Sequence, residues 1–256
     1  MERLIDGVRD DVYRLALRMV SQPADAEDAT QEILIKVLTR LSTFRGDAAF
    51  GTWVHRVAVH HLLDRKKTAV ERMEMTFDLY AEDLRDGLAD PPAMPEPEAA
   101  LLAEEVKLGC TQAMLTCLDR EHRVAYVLGE VFGVSSEEGA YICDVTAATY
   151  RKRLSRARSR VRAFLGDNCG LVNPDRAACR CRKRIAPAIA LGRVDPGKLE
   201  YATHPAERTE RAAAEMEGLF DAAGLMRSHP RYTAPQAVVD GIARLLGSGR
   251  YSLLRE

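Results

Sequence analysis

Between residues 151 and 162 the chain carries seven bases and no acid: Arg151, Lys152, Arg153, Arg156, Arg158, Arg160 and Arg162. Guanidinium groups in such a run neutralise phosphates, and an arginine can hold a guanine edge through two hydrogen bonds. Just upstream, Ser135-Ser-Glu-Glu138 is a capping box that opens a short helix, Cys143-Asp144-Val145 can turn the chain, and Thr146 can cap the next helix. Two short helices joined in this way form a helix-turn-helix, whose second helix lays its first residues over base edges in the major groove. Thr149, Tyr150, Arg151 and Arg153 fall at that position, with Arg156, Arg158 and Arg160 behind them for phosphates. A merely solvated charged helix is the plain alternative, but the order of capping box, turn and uncompensated base run favours DNA binding. Val145 and Leu154 read as core.

A second chemical group is Cys169, Cys179 and Cys181, three thiols within thirteen residues. Thiolates prefer zinc or another soft metal, and three of them with His204 or a solvent molecule complete four-coordination. Arg176, Arg180, Arg182, Lys183 and Arg184 would favour thiolate over thiol, which serves metal binding and oxidation alike. The spacing matches no standard zinc ribbon. A candidate sensor of metal or oxidants therefore stands beside a basic tail with ordinary cysteines. Cys110, Cys117 and Cys143 lie on helical patterns and read as small core residues. No cofactor is required by any motif, and enzyme motifs are missing. Gly46 to Thr52 has the glycine spacing of a phosphate loop without its lysine, and His55, His60 and His61 lack the spacing of a helical zinc pair.

The elements that must position these groups are helices. At 256 residues the chain has room for about two domains of roughly 150 residues each. Its net charge of -1 conceals a strong asymmetry. The stripe Ile33, Leu34, Val37, Leu38 and Leu41 sits opposite Gln31, Glu32, Lys36 and Arg40, an amphipathic helix with a usable polar face. Phe44 to Asp47 breaks that pattern, and Phe50 to Lys67 resumes it. Residues 71–99 carry nine acids against two bases, with four prolines at 91, 92, 95 and 97, and read as a linker. A second helical block fills 100–165. Beyond it an extension, 166–256, begins with the Cys/Arg-rich stretch and ends in two apolar stripes, Ala212, Met216, Leu219 and Phe220, then Val238, Ile242 and Leu245. Each stripe needs cover, so the extension is expected to pack on itself or on a domain. No apolar run reaches the ~20 residues of a membrane span, and charges occupy the amino terminus, so the expected location is cytoplasmic, with reduced thiols. The fold class is all-α.

These residues resemble a known family. Leu118-Asp-Arg-Glu-His-Arg-Val-Ala-Tyr-Val-Leu128, Gly133-Val-Ser-Ser-Glu-Glu138 and Thr149-Tyr-Arg-Lys-Arg-Leu-Ser-Arg-Ala-Arg158 are similar to domain 4 of extracytoplasmic-function (ECF) sigma factors of the sigma-70 family. Asp25-Ala-Glu-Asp28-Ala-Thr-Gln31-Glu32, Phe44-Arg-Gly-Asp47, Phe50-Gly-Thr-Trp53-Val-His-Arg-Val-Ala58 and Asp64-Arg-Lys-Lys67 resemble domain 2. The resemblance covers about the first 165 residues. It implies domain 2 over 1–70, a helical bundle that binds core RNA polymerase and reads and melts the minus-ten element, and domain 4 over 100–165, which binds the minus-thirty-five element. It places Asp28, Gln31 and Glu32 against the polymerase. Trp53, Arg56, His60, His61, Arg65, Lys66 and Lys67 then face promoter DNA, and the loop Arg45 to Ala49 is a candidate base pocket. Unstacking a base costs a few kcal/mol, so melting without ATP needs such cationic and stacking groups. Trp53 reads better as core.

Two departures stand out. Val59-His60 occupies the place of the family's common Arg-Asn, and Asp144 that of its usual turn glycine. The implied partners are core polymerase, promoter DNA and either an anti-sigma factor or the extension itself as an intramolecular regulator, with the acidic linker threading the polymerase channel. A polymerase-independent helix-turn-helix repressor or activator remains the alternative, and a metal-storage protein would rest on the cysteines alone.

Overall fold

The computed structural model describes residues 5–202 and 222–247. Among them the chain is built from helices, with one isolated β-bridge between Cys169 and Cys179. The amino-terminal bundle comprises α1 (Arg9–Val20), α2 (Pro23–Thr39), α3 (Phe50–Asp64) and the single turn α4 (Ala69–Arg72). Asp10 and Asp11 sit in the first turn of α1 against the positive end of its dipole, and Pro23 opens α2 where a missing N–H is harmless. The apolar stripe of the sequence is the inner face of α2. Ile33, Leu34, Val37 and Leu38 are buried, with α1 and α3 as neighbours, and Leu41 is partly buried in the tight turn beyond.

The second block holds α5 (Phe77–Asp86), α6 (Glu96–Leu115), α7 (Arg120–Tyr126), a π-helical turn Val127–Val131, α8 (Ser136–Cys143) and α9 (Ala147–Asn168). Both halves of the expected capping box form: the Ser135 hydroxyl accepts from the Glu138 N–H and the Glu138 carboxylate from the Ser135 N–H, each at 3.2 Å. Asp144 turns the chain at φ 55°, and Thr146 caps α9 by accepting from the Thr149 N–H at 3.1 Å. Gly139 permits the close crossing of the two helices, since a Cβ there would stand 2.2 Å from the Tyr150 ring.

The acidic segment 71–99, expected as a flexible linker, is largely folded. Thr76 caps α5 through the Leu79 N–H at 3.2 Å, Tyr80 and Leu84 are buried, and the Tyr80 ring stacks on Phe164 of α9 with centroids 5.5 Å apart. Two of its carboxylates pair with the extension. Asp83 accepts from Arg193 at 2.6 and 2.7 Å and from Arg184 at 3.1 Å, while Glu96 accepts from Arg182 at 3.0 Å. The acidic segment and the basic start of the extension are thus complementary partners, 86 to 110 residues apart.

The extension wraps both domains. A tight turn, Cys181–Arg184, and α10 (Ile185–Ala190) bury Ile185, Ala188 and Val194 with Leu102 and Val106 of α6. The buried Glu105 carboxylate accepts the backbone N–H groups of Glu200, Tyr201 and Ala202 at 2.9, 3.0 and 2.7 Å, and the Tyr201 hydroxyl donates to the Ser21 carbonyl at the end of α1 at 2.7 Å. Next, α11 (Ala222–Arg227) lies on the π-helical turn and α9, and α12 (Gln236–Gly247) on α2. The expected packing on a domain is met, with Val238 and Ile242 buried. Ala212, Met216, Leu219, Phe220 and the side chain of Leu245 lie outside the described residues.

The two domains meet at Glu71, counted in the sequence among the linker acids. Its carboxylate accepts from Arg120 at 2.7 and 2.9 Å, Arg123 at 3.0 Å and the Thr68 N–H at 3.0 Å, and the Thr68 hydroxyl accepts in return from the Glu71 N–H at 3.2 Å. Burial would raise this carboxyl, but the Arg120 and Thr68 hydrogen bonds and the Arg123 charge prevail and lower it from 4.5 to about 2. Glu71→Ala leaves two guanidinium groups without their buried partner and lowers the unfolding free energy at pH 7 by about 3 kcal/mol, measured by urea denaturation. Because the folded pKa is depressed, this contribution is complete above about 4.5 and fades as pH falls towards about 2. The gap between wild type and variant should close over that window, and a pH-independent gap would refute charge as its source.

Candidate nucleic-acid interface

The outer face of α9 carries Arg151, Lys152, Arg156, Arg160 and Arg162, all exposed. Arg151 stands 3.7 Å from Glu137, and the other four have no salt bridge among the described residues. Thr149 is half-buried, its hydroxyl 2.9 Å from that of Thr146. Two expected base contacts need correction. Tyr150 is fully buried and its hydroxyl donates to the Ala125 carbonyl at 3.3 Å, because it shares a 3.6-residue stripe with Leu154, Ala157 and Val161. Arg153 pairs with Glu121 of α7 at 2.6 Å and so helps fix the helix in place. Among the phosphate candidates, Arg158 is tied to Glu130 of the π-helical turn. Lys152, three residues after Thr149 and inside the seven-base run, belongs to the free face and was legible from that spacing.

The departure at the turn has a physical account. An aspartate tolerates the left-handed conformation better than most side chains, and here it has a second task. The Asp144 carboxylate accepts from Arg56 of α3 at 2.8 Å, and Arg56 also donates to the Tyr141 carbonyl and lies over the Tyr141 ring, 4.9 Å from its centroid. That guanidinium lowers the Asp144 pKa. His55 meets Phe132 edge-on at 5.3 Å. The helix assigned to the minus-ten element is therefore covered by α8 of the other domain.

The remaining residues of that helix sort by burial. Trp53 is buried in a cluster with Phe44 and Phe50, centroids 5.5 and 5.9 Å away, and presents no free stacking surface. His61 is buried between α2 and α3: Lys36 donates to its Nδ1 at 2.8 Å and the Glu32 carboxylate lies 3.0 Å from its Nε2. Burial and the Lys36 charge lower its pKa, so it is a neutral interhelical link rather than a DNA contact. Arg65 donates to the Asp25 carbonyl at 2.8 Å, and Lys67 pairs with Glu74 at 3.1 Å. Lys66 is exposed and His60 half-buried. On α2, Asp28 and Glu32 are exposed, while Gln31 is half-buried beneath α12, where a Cβ on Gly241 would stand 2.5 Å from its Nε2.

The cysteines form no ready metal centre. Among the described residues no three His, Cys, Asp or Glu side chains gather closely enough to hold an ion, and His204 lies outside them. Cys169 and Cys179 face each other across the β-bridge, with the Gly170 N–H donating to the Cys179 carbonyl at 3.1 Å. The expectation that nearby bases favour thiolate is overturned for Cys179 and Cys181. Burial, with the neighbouring thiols, raises both, and it lifts Cys110 to about 12. Arg182 and Arg184 are engaged with Glu96 and Asp83. Cys117 and Cys143 are raised by burial to about 12 and about 11, as packed core thiols.

The fold defines a helix-turn-helix protein with an exposed cationic face on its second helix. The family description Sigma-70 region 2 matches residues 4–71, and Sigma-70, region 4 matches residues 108–161. Over 170 residues the chain is 32% identical to the ECF RNA polymerase sigma factor SigE of Mycolicibacterium smegmatis, covering 64% of this chain and 61% of that protein. It is 32% identical over 156 residues to the RNA polymerase sigma-H factor of Pseudomonas aeruginosa, covering 59% of this chain and 78% of that one, and 34% identical over 140 residues to the ECF RNA polymerase sigma-E factor of Escherichia coli, covering 54% and 72%. The chain belongs to the ECF group of the sigma-70 family. Among the described residues no helix is long and apolar enough to cross a membrane.

Tyr150→Phe removes one buried hydrogen bond and should lower stability by about 1 kcal/mol while leaving sequence preference on DNA unchanged, checked by denaturation and by selection from a random duplex library. A shifted preference would restore Tyr150 to the base-reading face. In the native protein the thiol of Cys110 should react with an aromatic disulfide at least about tenfold more slowly than free cysteine, its thiolate being scarce at pH 8.

Proposed function

We propose that this chain directs core RNA polymerase to particular promoters and helps to open the duplex there. The observation that carries the reading is the cationic face of α9, mounted on a fully formed capping box and turn, in a chain whose other matched region supplies a separate helix, α2, with exposed Asp28 and Glu32. Thr149, Arg151 and Lys152 stand at the beginning of that face, where base edges would lie, and Arg156 and Arg160 follow for phosphates. Asp28, Gln31 and Glu32 of α2 would meet the polymerase. Arg56, His60 and Lys66 would serve the minus-ten element once α3 is uncovered.

Control through the cysteine segment is the finer part of the reading. A soft metal drawn to Cys169, Cys179 and Cys181 would have to displace the protons that burial holds on Cys179 and Cys181, and gathering the three would strain the Arg182 and Arg184 ion pairs that anchor the segment. Stoichiometric zinc in protein purified under reducing conditions, measured by elemental analysis, would support this. Metal-free protein with unreactive thiols would leave the segment as a structural strap.

Mixing the purified chain with core polymerase and a promoter library should give transcripts from a defined subset of promoters. Tight binding to duplex operators with no transcripts would instead indicate a polymerase-independent regulator. Arg151→Ala should relax preference in the upstream element by about 1–3 kcal/mol without loss of polymerase binding. Arg156→Ala should weaken binding evenly across sequences and reduce the salt dependence by about one counterion.

A further inference from the structure

We propose that α12, the last described helix, is an intramolecular competitor for the polymerase-binding face of α2. The proposal rests on the reading of α2 given above and adds what regulates it. The two helices approach closely. Gly241 faces Gln31, and any larger residue at 241 would bring a Cβ to within 2.5 Å of the Gln31 amide nitrogen. On either side of that glycine, Val238 and Ile242 are buried, and together with Leu34 of α2 and Ile5 they line one cavity. The polypeptide leading into α12 is tied down before it arrives. The Asp10 carboxylate of α1 accepts the Ala234 N–H at 2.9 Å, Tyr232 is fully buried, and the buried His229 meets the Thr111 hydroxyl of α6.

The occupancy is suited to release. Asp28 and Glu32 of the same helix stay exposed, so an incoming protein has a foothold beside the covered Gln31. A half-open cleft of about 240 Å³, bordered by Asp6 and Arg9, also runs along the junction. The contact between α3 and α8 through Arg56 and Asp144 covers the other working face of the same domain. In this closed form the amino-terminal domain offers neither its Gln31 surface nor α3, and displacing α12 is the step that frees the first of them.

The test uses the full chain. Val238→Asp with Ile242→Asp places two carboxylates in the apolar contact, and Asp10→Ala removes the anchor of the approach without touching α12 or α2. Hydrogen exchange of the α2 amides reports docking in the free protein, and fluorescence-detected titration with core polymerase reports competition. Both variants should speed exchange in 31–38 and raise the apparent affinity for polymerase, by on the order of tenfold for the charged pair. If the charged pair does not fold to native helicity, Asp10→Ala decides the matter, with a smaller change in the same direction. Faster exchange with unchanged affinity overturns the competition while leaving polymerase binding intact. Unchanged exchange in a folded variant overturns the docking. Failure of every form to bind polymerase overturns the assignment of α2 and the proposal with it.

Discussion

One buried carboxylate holds the arrangement together. Glu71 ends the amino-terminal bundle, yet its oxygens belong to Arg120 and Arg123 of the helix-turn-helix domain, and its backbone is capped by Thr68. A charge this deep is tolerated only with its partners in place, because the cost of desolvation must be met by well-formed hydrogen bonds. Its geometry therefore demands that the end of the bundle and the start of α7 stay together. Arg120 extends the demand by also donating to the carbonyls of Leu63 and Arg65 at the end of α3, and Arg123 by reaching the Met19 carbonyl of α1. The covering of α3 by α8 and the course of the extension across α1 both presuppose this closed geometry.

What the sequence made legible was local. The Ser135 capping box, the Thr146 cap and the stripe on α2 depend on residues three or four apart, and each forms as expected. Tyr150 shows the limit of reading charge before periodicity: its neighbours Arg151 and Arg153 suggested a contact surface, whereas its spacing to Leu154, Ala157 and Val161 assigns it to the core. The acidic segment shows another limit. Asp83 and Glu96, two of its nine acids, read as solvated because their partners, Arg182, Arg184 and Arg193, lie about a hundred residues downstream, and nothing within a short window reveals such a pairing. His61 and Arg56 were read by chemical type as DNA-facing, but in the closed form each is engaged inside the protein, one between two helices and the other on the opposite domain.

The turn at Asp144 and the cysteine segment show how neighbouring structure reassigns a residue's chemistry. A glycine would satisfy the left-handed turn equally well, but only a carboxylate can also hold Arg56. Cys179 and Cys181, placed among bases by sequence, are governed instead by burial: Arg182 and Arg184 are engaged with carboxylates and Arg180 with backbone carbonyls. Arg182 and Arg184, which would have activated them, serve to fasten the extension to α5 and α6.

The order in which these parts leave the ribosome also matters. The polar face of α2 is complete by residue 39, whereas the helix that lies over it begins at residue 236. At synthesis rates of roughly 5–20 residues per second, about 10–40 s separate the two. During that interval every newly made chain leaves open the stretch of α2 around Gln31 and Leu34 that α12 later lies over.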